Sequence, residues 1–303
     1  MSVLILVNVF FIFNFPKTAS IKPRSDLVIQ GRTLNQAAYV LPISEPSYLP
    51  VLNTAIERPQ LTAKSAVVYD MRSSRFLYSK NPEDRLPIAS LTKLLSAVVV
   101  LEYLNPDDIV IVSKESIKVD GEKQTLYLDE RIKVGELLKM MLIESSNDAA
   151  HALKLYASSL GVDLISFMNK KAVELGMNDS IFHDPAGLND DALSTSEDLV
   201  KLVKYSLQLD ELWSTLGEKT ASVSSIGGRI ERKINSTNQL LGIIPDIVGG
   251  KTGYTEKALG CMILVVDIPD KNDKLIIIVL GSTERFTDTE KLTNWVKRAY
   301  SWE

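Results

Sequence analysis

Ser90-Leu91-Thr92-Lys93 puts a hydroxyl and an amine three positions apart at the start of an apolar stretch, and it is the only Ser-x-x-Lys in the chain. Residues i and i+3 share a helix face, so the two groups can meet. A serine hydroxyl is a poor nucleophile until a base takes its proton. A lysine buried among apolar side chains can lose enough basicity to be that base. The N-terminus of a helix adds free backbone N–H groups and a positive dipole end, which suit an oxyanion. Ser145-Ser146-Asn147 offers a second hydroxyl and an amide that can relay protons and hold a substrate amide, although Ser79-Lys80-Asn81 and Ser236-Thr237-Asn238 show the same spacing. Lys251-Thr252-Gly253 follows Gly249-Gly250 and precedes an apolar run. A lysine and a hydroxyl there can grip a carboxylate while a strand edge pairs with a peptide. Each pattern alone is better explained by capping, by a turn or by a solvated lysine; their combination, in this order and on these elements, is not.

The elements that must carry these residues are legible in outline. Ala66–Tyr69 and Phe76–Ser79 are short strands of a hairpin. Leu91–Leu104 is apolar on several faces, which predicts a buried helix behind Ser90. Val134–Ile143 and Ala149–Ser158 are helical, broken by residues 144–148 where the second motif lies. Leu164–Leu175 is a helix ended by Gly176, and Ser196–Leu207 is another, capped by Thr195 or Ser196. Three late strands are expected at Ser222–Ser225, Met262–Ile268 and Leu275–Gly281, followed by a helix over Arg285–Tyr300. Strands at both ends with helices between them predict an α+β domain, its antiparallel sheet formed by N- and C-terminal strands and packed with helices, plus a mostly helical subdomain.

Composition narrows the chemistry. The 303 residues carry 34 Lys+Arg against 38 Asp+Glu, a formal charge of −4, so there is no electrostatic footprint for a nucleic acid. One cysteine and two histidines cannot form an internal disulfide or fill a cysteine/histidine zinc site. No metal and no cofactor is expected. Only His151 and His183 are available to a Ser-His-Asp triad, so hydrolysis here calls for another base. Both histidines are read as structural, and Cys261 as a core thiol.

Taken together, Ser90-x-x-Lys93, Ser145-x-Asn147 and Lys251-Thr252-Gly253 resemble the three-motif set of penicillin-binding proteins and serine β-lactamases. Their surroundings, Pro87-Ile88-Ala89-Ser90, Ser146-Asn147-Asp148-Ala149-Ala150, Glu174-Leu175-Gly176-Met177, Asn235-Ser236-Thr237-Asn238 and Lys251-Thr252-Gly253-Tyr254-Thr255, are similar to serine-type D-alanyl-D-alanine carboxypeptidases. The likeness runs from about Ala63 to Gly281. It implies a β-lactamase/transpeptidase-like fold. It also implies a hydrolase that removes the terminal D-alanine from peptidoglycan stem peptides through a Ser90 acyl-enzyme, with β-lactams as inhibitors. By resemblance, Lys93 is the acylation base, and Ser145 with Lys251 passes the proton to the leaving amine. Asn147 orients the substrate amide. Thr252 and Lys251 bind the terminal carboxylate, Gly253 and Tyr254 complete the substrate edge, and the oxyanion sits between the N–H groups of Ser90 and Tyr254.

Two positions depart from the pattern: Ser146 stands where many relatives have glycine, and Asp184 where asparagine is usual. Three other functions fit less well. A class A-like β-lactamase needs a Glu-x-x-Leu-Asn that the Asp184–Asp198 loop lacks. A non-catalytic wall-binding protein has no reason to keep all three motifs intact. A D,D-endopeptidase is the remaining alternative, since the same site can accept a longer strand. At the N-terminus, Met1–Phe15 is apolar but too short for a straight span, which needs about 20 residues. Residues 1–20 are therefore expected to be a signal peptide or N-terminal anchor. Residues 21–60, with five prolines, read as a linker or lead-in, and 61–303 as the catalytic domain, with no C-terminal β-domain or anchor helix. An exported, extracytoplasmic enzyme follows, secreted or held to the membrane through the N-terminal apolar segment.

Overall fold

The hairpin expected near the start is present: β1 (Ser65–Asp70) and β2 (Arg75–Lys80) pair antiparallel. The Asp70 carboxylate closes its turn by accepting from the Ser73 backbone N–H at 2.7 Å. The computed structural model describes residues 49–118, 125–269, 271 and 273–302. The apolar N-terminal segment and the lead-in up to residue 48 lie outside the described residues. Val51–Leu52, near the end of that lead-in, pairs with Tyr300–Ser301.

Three C-terminal strands complete the main sheet: β3 (Ile247–Thr255), β4 (Leu259–Ile268) and β5 (Asp273–Ser282). The order is β3-β4-β5-β1-β2, all antiparallel, so β3 is an edge. β4 and β5 read as continuous apolar runs because both faces of the sheet are covered. Side chains alternate between faces. Val67, Ile263, Val265, Ile276 and Ile278 belong to one core, and Val68, Met262, Leu264, Ile277 and Val279 to another. The second core is closed by Leu292, Trp295 and Val296 of the C-terminal helix Arg285–Ala299.

The first core continues into the helical part. α1 (Thr92–Tyr103) is buried all round from Thr92 to Val100, as its apolar sequence requires. Ser90 sits just ahead of it, in a single 3-10 turn over Ala89–Leu91. α2 (Val134–Lys139) runs into a π turn at Met140–Glu144, which ends on Ser145 in the left-handed region at φ 67°. α3 (Asn147–Ser159) then starts behind Ser146, whose hydroxyl accepts from the Ala149 N–H at 3.1 Å. α4 (Leu164–Glu174) and α5 (Ser196–Ser206) follow, the latter capped by Thr195. The expectation missed α6 (Asp210–Gly217), β3 and the Glu231–Asn235 strand that pairs with Thr220–Ser224.

Candidate active site

The helix start, the π-turn break and the sheet edge converge on one cleft of about 590 Å³, lined among others by Ser90, Ser145, Asn147, Thr237, Thr252, Gly253, Tyr254 and Arg285. Lys93, on the first turn of α1, is fully buried. Its Nζ donates to Ser90 Oγ at 2.7 Å, Asn147 Oδ1 at 2.8 Å and the Ala186 carbonyl at 2.9 Å. With Asn147 and Ala186 each holding a hydrogen, the remaining corner of the amine faces the hydroxyl. A neutral amine there presents its lone pair to Ser90, and an ammonium presents an N–H. This is the geometry of a base paired with its nucleophile.

A second lysine–serine pair stands across the cleft. Lys251 Nζ, 1% exposed, donates to Ser145 Oγ at 2.9 Å and to the Thr252 carbonyl at 3.0 Å. Thr252 Oγ1 donates to Thr237 Oγ1 at 2.6 Å, and the Thr237 N–H donates to the Ile143 carbonyl at 3.1 Å. The Ser236-Thr237-Asn238 segment, a second match to the Ser-x-Asn pattern and part of the family resemblance but given no site role from sequence, is thereby part of the cleft. Ser145, Asn147, Lys251, Thr252, Gly253 and Tyr254 are all brought to Ser90. Tyr254 is 60% exposed at the mouth.

Gly253 shows why the edge strand carries glycine: a Cβ there would meet Ile88 O at 2.9 Å and Ser90 N at 3.0 Å. The backbone of β3 passes that close to the Ser90 N–H. Two such walls, a 3-10 turn and an open strand, leave a slot in which a carbonyl oxygen can receive backbone N–H groups.

The loop opposite is built on Asp184. Its carboxylate accepts from the N–H groups of Ala186 at 2.7 Å, Gly187 at 2.6 Å, Leu188 at 3.1 Å and Asn189 at 2.8 Å. An asparagine has one acceptor oxygen; both carboxylate oxygens are used here, so Asp184 grips this loop more fully. The loop in turn presents the Ala186 carbonyl to Lys93. At Ser146, φ is −57°, so the turn has no need of glycine, and its hydroxyl also donates to Asp148.

His151 is held below its ordinary pKa, chiefly by burial and then by the Lys154 charge. Cys261 is fully buried on β4 opposite Gly253, and burial pushes its thiol up to about 11. Arg285, the first residue of the C-terminal helix, was not singled out in the sequence. Its guanidinium lies 5.8 Å from the Tyr254 ring centroid, its Nε is buried without a hydrogen-bond partner, and burial lowers its pKa. Nothing local marks it; only β5 carries it to the cleft. Glu144 and Gly187 were likewise missed.

Such a cleft, with a lysine-paired serine below and a glycine-bearing edge strand above, belongs to the fold of the penicillin-binding type. Residues 52–284 match the D-alanyl-D-alanine carboxypeptidase family, and the chain belongs to that family. It is 37% identical over 224 residues to a D-alanyl-D-alanine endopeptidase of Haemophilus influenzae, covering 73% of this chain and 76% of that one. It is 29% identical to the D-alanyl-D-alanine carboxypeptidase DacF of Bacillus subtilis, covering 79% of this chain but 62% of the relative. Penicillin-binding protein D2 from Listeria monocytogenes, solved with ampicillin bound, superposes with a TM-score of 0.68 at 32% identity, over 80% of this chain and 100% of that one.

Proposed function

We propose that this enzyme removes the terminal D-alanine of stem peptides through an acyl-enzyme on Ser90, and that β-lactams acylate the same hydroxyl. The observation that carries this is the 2.7 Å pair of Lys93 Nζ and Ser90 Oγ at a cleft lined by Ser90, Ser145 and Thr252. Lys93 takes the Ser90 proton as Oγ attacks the penultimate D-alanine carbonyl. The Ser145–Lys251 pair returns a proton to the leaving amine, and Asn147 orients the substrate amide. Thr252, Thr237 and the Arg285 guanidinium face the terminal carboxylate. Water then hydrolyses the ester and restores Ser90.

The family and the ampicillin complex of the Listeria relative support the substrate and inhibitor classes. Among the described residues no helix is long and apolar enough to cross a membrane. We assign residues 1–20 to export or anchoring, 21–60 to the lead-in and 61–303 to the catalytic domain, which places the enzyme outside the cytoplasm. Any membrane contact in this reading is made by the N-terminal apolar segment.

Wild type should form a slowly released fluorescent-penicillin adduct and liberate D-alanine from diacetyl-Lys-D-Ala-D-Ala, and Ser90→Ala should do neither. Rapid penicillin turnover would instead make it a β-lactamase. Equal, poor labelling of wild type and Ser90→Ala would leave a non-catalytic wall protein.

A further inference from the structure

The catalytic cleft is unevenly charged. Of its lining residues, the cation is Arg285, beside Tyr254, and the carboxylates are Glu144 and Glu256. Glu144 is buried next to Ser145 and accepts from the Thr125 hydroxyl at 3.4 Å. Glu256 is exposed, one residue beyond Thr255, where β3 ends. We infer that Glu256 is a specificity-determining residue: it takes the side-chain ammonium of the residue preceding the D-Ala-D-Ala pair, so that peptides with a free amine there are preferred over those in which it is capped. The inference rests on the acyl-enzyme reading above and adds which substrate side chain is favoured and which group reads it.

Direction comes from the edge strand. In that reading the scissile carbonyl sits at the N–H groups of Ser90 and Tyr254, and the terminal carboxylate at Thr252. The leaving residue therefore lies toward Thr252, and the residues before the bond lie toward Thr255 and Glu256. A peptide so placed runs antiparallel to β3 and extends the sheet at its free edge. Paired strands advance together by about 3.3 Å per residue. With the penultimate D-alanine opposite Tyr254, the residue before it comes opposite Thr255. A long side chain on that residue reaches Glu256.

That end of the cleft holds its shape without drawing on Glu256. Thr255 Oγ1 donates to Asp190 Oδ1 at 2.8 Å and accepts from the Ala258 N–H at 3.0 Å, which ties the turn after β3 to the 184–191 loop. Lys257, the lysine of that turn, pairs with Asp191 at 3.5 Å rather than with its neighbour Glu256. Three carboxylates, Asp190, Asp191 and Glu256, thus stand against one ammonium, and Glu256 is the one on the cleft lining. A peptide that ends in a carboxylate and carries an amine two residues earlier matches this arrangement, its carboxylate toward Arg285 and its amine toward Glu256. Because Glu256 is exposed, the pair is weak and sensitive to salt, so it tunes selectivity rather than deciding whether the reaction occurs.

The test uses the full enzyme and two peptides: Nα-acetyl-Lys-D-Ala-D-Ala, whose side-chain amine is free, and its diacetyl counterpart, whose amine is capped. Wild type should show a kcat/KM about three- to fivefold higher on the free amine, the scale of an exposed ion pair. The difference should lie in KM and shrink in about 0.5 M NaCl. Glu256→Gln should bring the ratio of the two peptides to about one, and Glu256→Lys should invert it. Equal wild-type values on the two peptides, a preference that survives Glu256→Gln, or a parallel fall that leaves the ratio unchanged would overturn the inference. A wild type that releases D-alanine from neither peptide and does not label with penicillin would overturn the acyl-enzyme reading itself.

Discussion

Two lysines occupy the cleft, each within hydrogen-bond distance of a serine, yet they are anchored differently and should fail differently when replaced. Lys93 is held by Asn147 and Ala186 on the nucleophile's side, so Lys93→Met should slow penicillin acylation by about 10²–10⁴-fold, the range for loss of a positioned base. Stopped-flow labelling reads it directly. Thr252 is bonded to Thr237, where the proposed mechanism places the substrate carboxylate. For Thr252→Val we expect KM to rise for a peptide with a free C-terminal carboxylate, and to rise less for its C-terminal amide. Equal effects on the two peptides would remove Thr252 from carboxylate binding. Cys261, with its thiol pushed up to about 11 by burial, should resist iodoacetamide at pH 8 until the protein unfolds; alkylation of the native enzyme would show that β4 opens.

At the scale of elements, the loop over the nucleophile depends on one left-handed glycine. Gly187 has φ +77°, and a Cβ on it would lie 1.9 Å from the Ala89 carbonyl oxygen. Neither backbone can yield without moving Ser90, so Gly187→Ala should lower the melting temperature and cut the acylation rate together, as differential scanning calorimetry and penicillin labelling would show. How much of this could be read in advance follows from how local each signal is. Ser90 and Lys93 lie one helical turn apart, so spacing alone brought them together. Strands β1, β2, β4 and β5 and helix α1 were legible, the last two strands and the helix because continuous apolar runs mark doubly covered strands and an enclosed helix. β3 was not, since Ile247-Val248-Gly249-Gly250-Lys251 has glycines in place of alternation. Those glycines answer neighbours distant in sequence: Gly249 packs against Leu216 and Trp213, and Gly250 lies under Asn238. Ser145 looked like part of a plain helix break, whereas a π turn and a left-handed residue aim it at Lys251. Thr237 stood in a segment quoted for the resemblance but without a role, and Arg285 carries no local sign; the fold alone brings both to the cleft.

For the whole molecule, stability and assembly both turn on the sheet joining the two ends of the chain. At one end of the β1–β5 pair, where Asp70 lies opposite Leu275, the charge of Asp70 acts on the nearby Asp273; Asp70 accepts from Trp302 Nε1 at 2.6 Å, and Asp273 from the Arg72 N–H at 3.0 Å and the Lys274 N–H at 2.7 Å. Burial first, and then the Asp70 charge, pushes Asp273 up to about 6, and its Oδ2 has no hydrogen-bond partner. An acid raised in the folded state keeps a proton that the unfolded chain gives up. Its charge therefore opposes folding above about pH 6, and that opposition fades as pH falls toward the ordinary aspartate value. Asp273→Asn keeps the Oδ1 acceptor and can donate to Asp70. It should be more stable than wild type at pH 7.5, with the advantage shrinking by pH 4.5; a constant gap in denaturant midpoints would assign the effect to packing. The same sheet has a temporal consequence. The Thr62 N–H donates to the Asp288 carboxylate across 226 residues of chain, and Lys251 reaches Ser145 across 106. Closing such loops is slow compared with forming α1. During synthesis from the N-terminus, Ser90 and Lys93 emerge long before the strand that faces them, so the nascent polypeptide carries its nucleophile without a substrate edge. On the proposed mechanism, acylation by peptide or by drug should begin only after the final strands have docked, and a ribosome-stalled chain lacking them should be indifferent to penicillin.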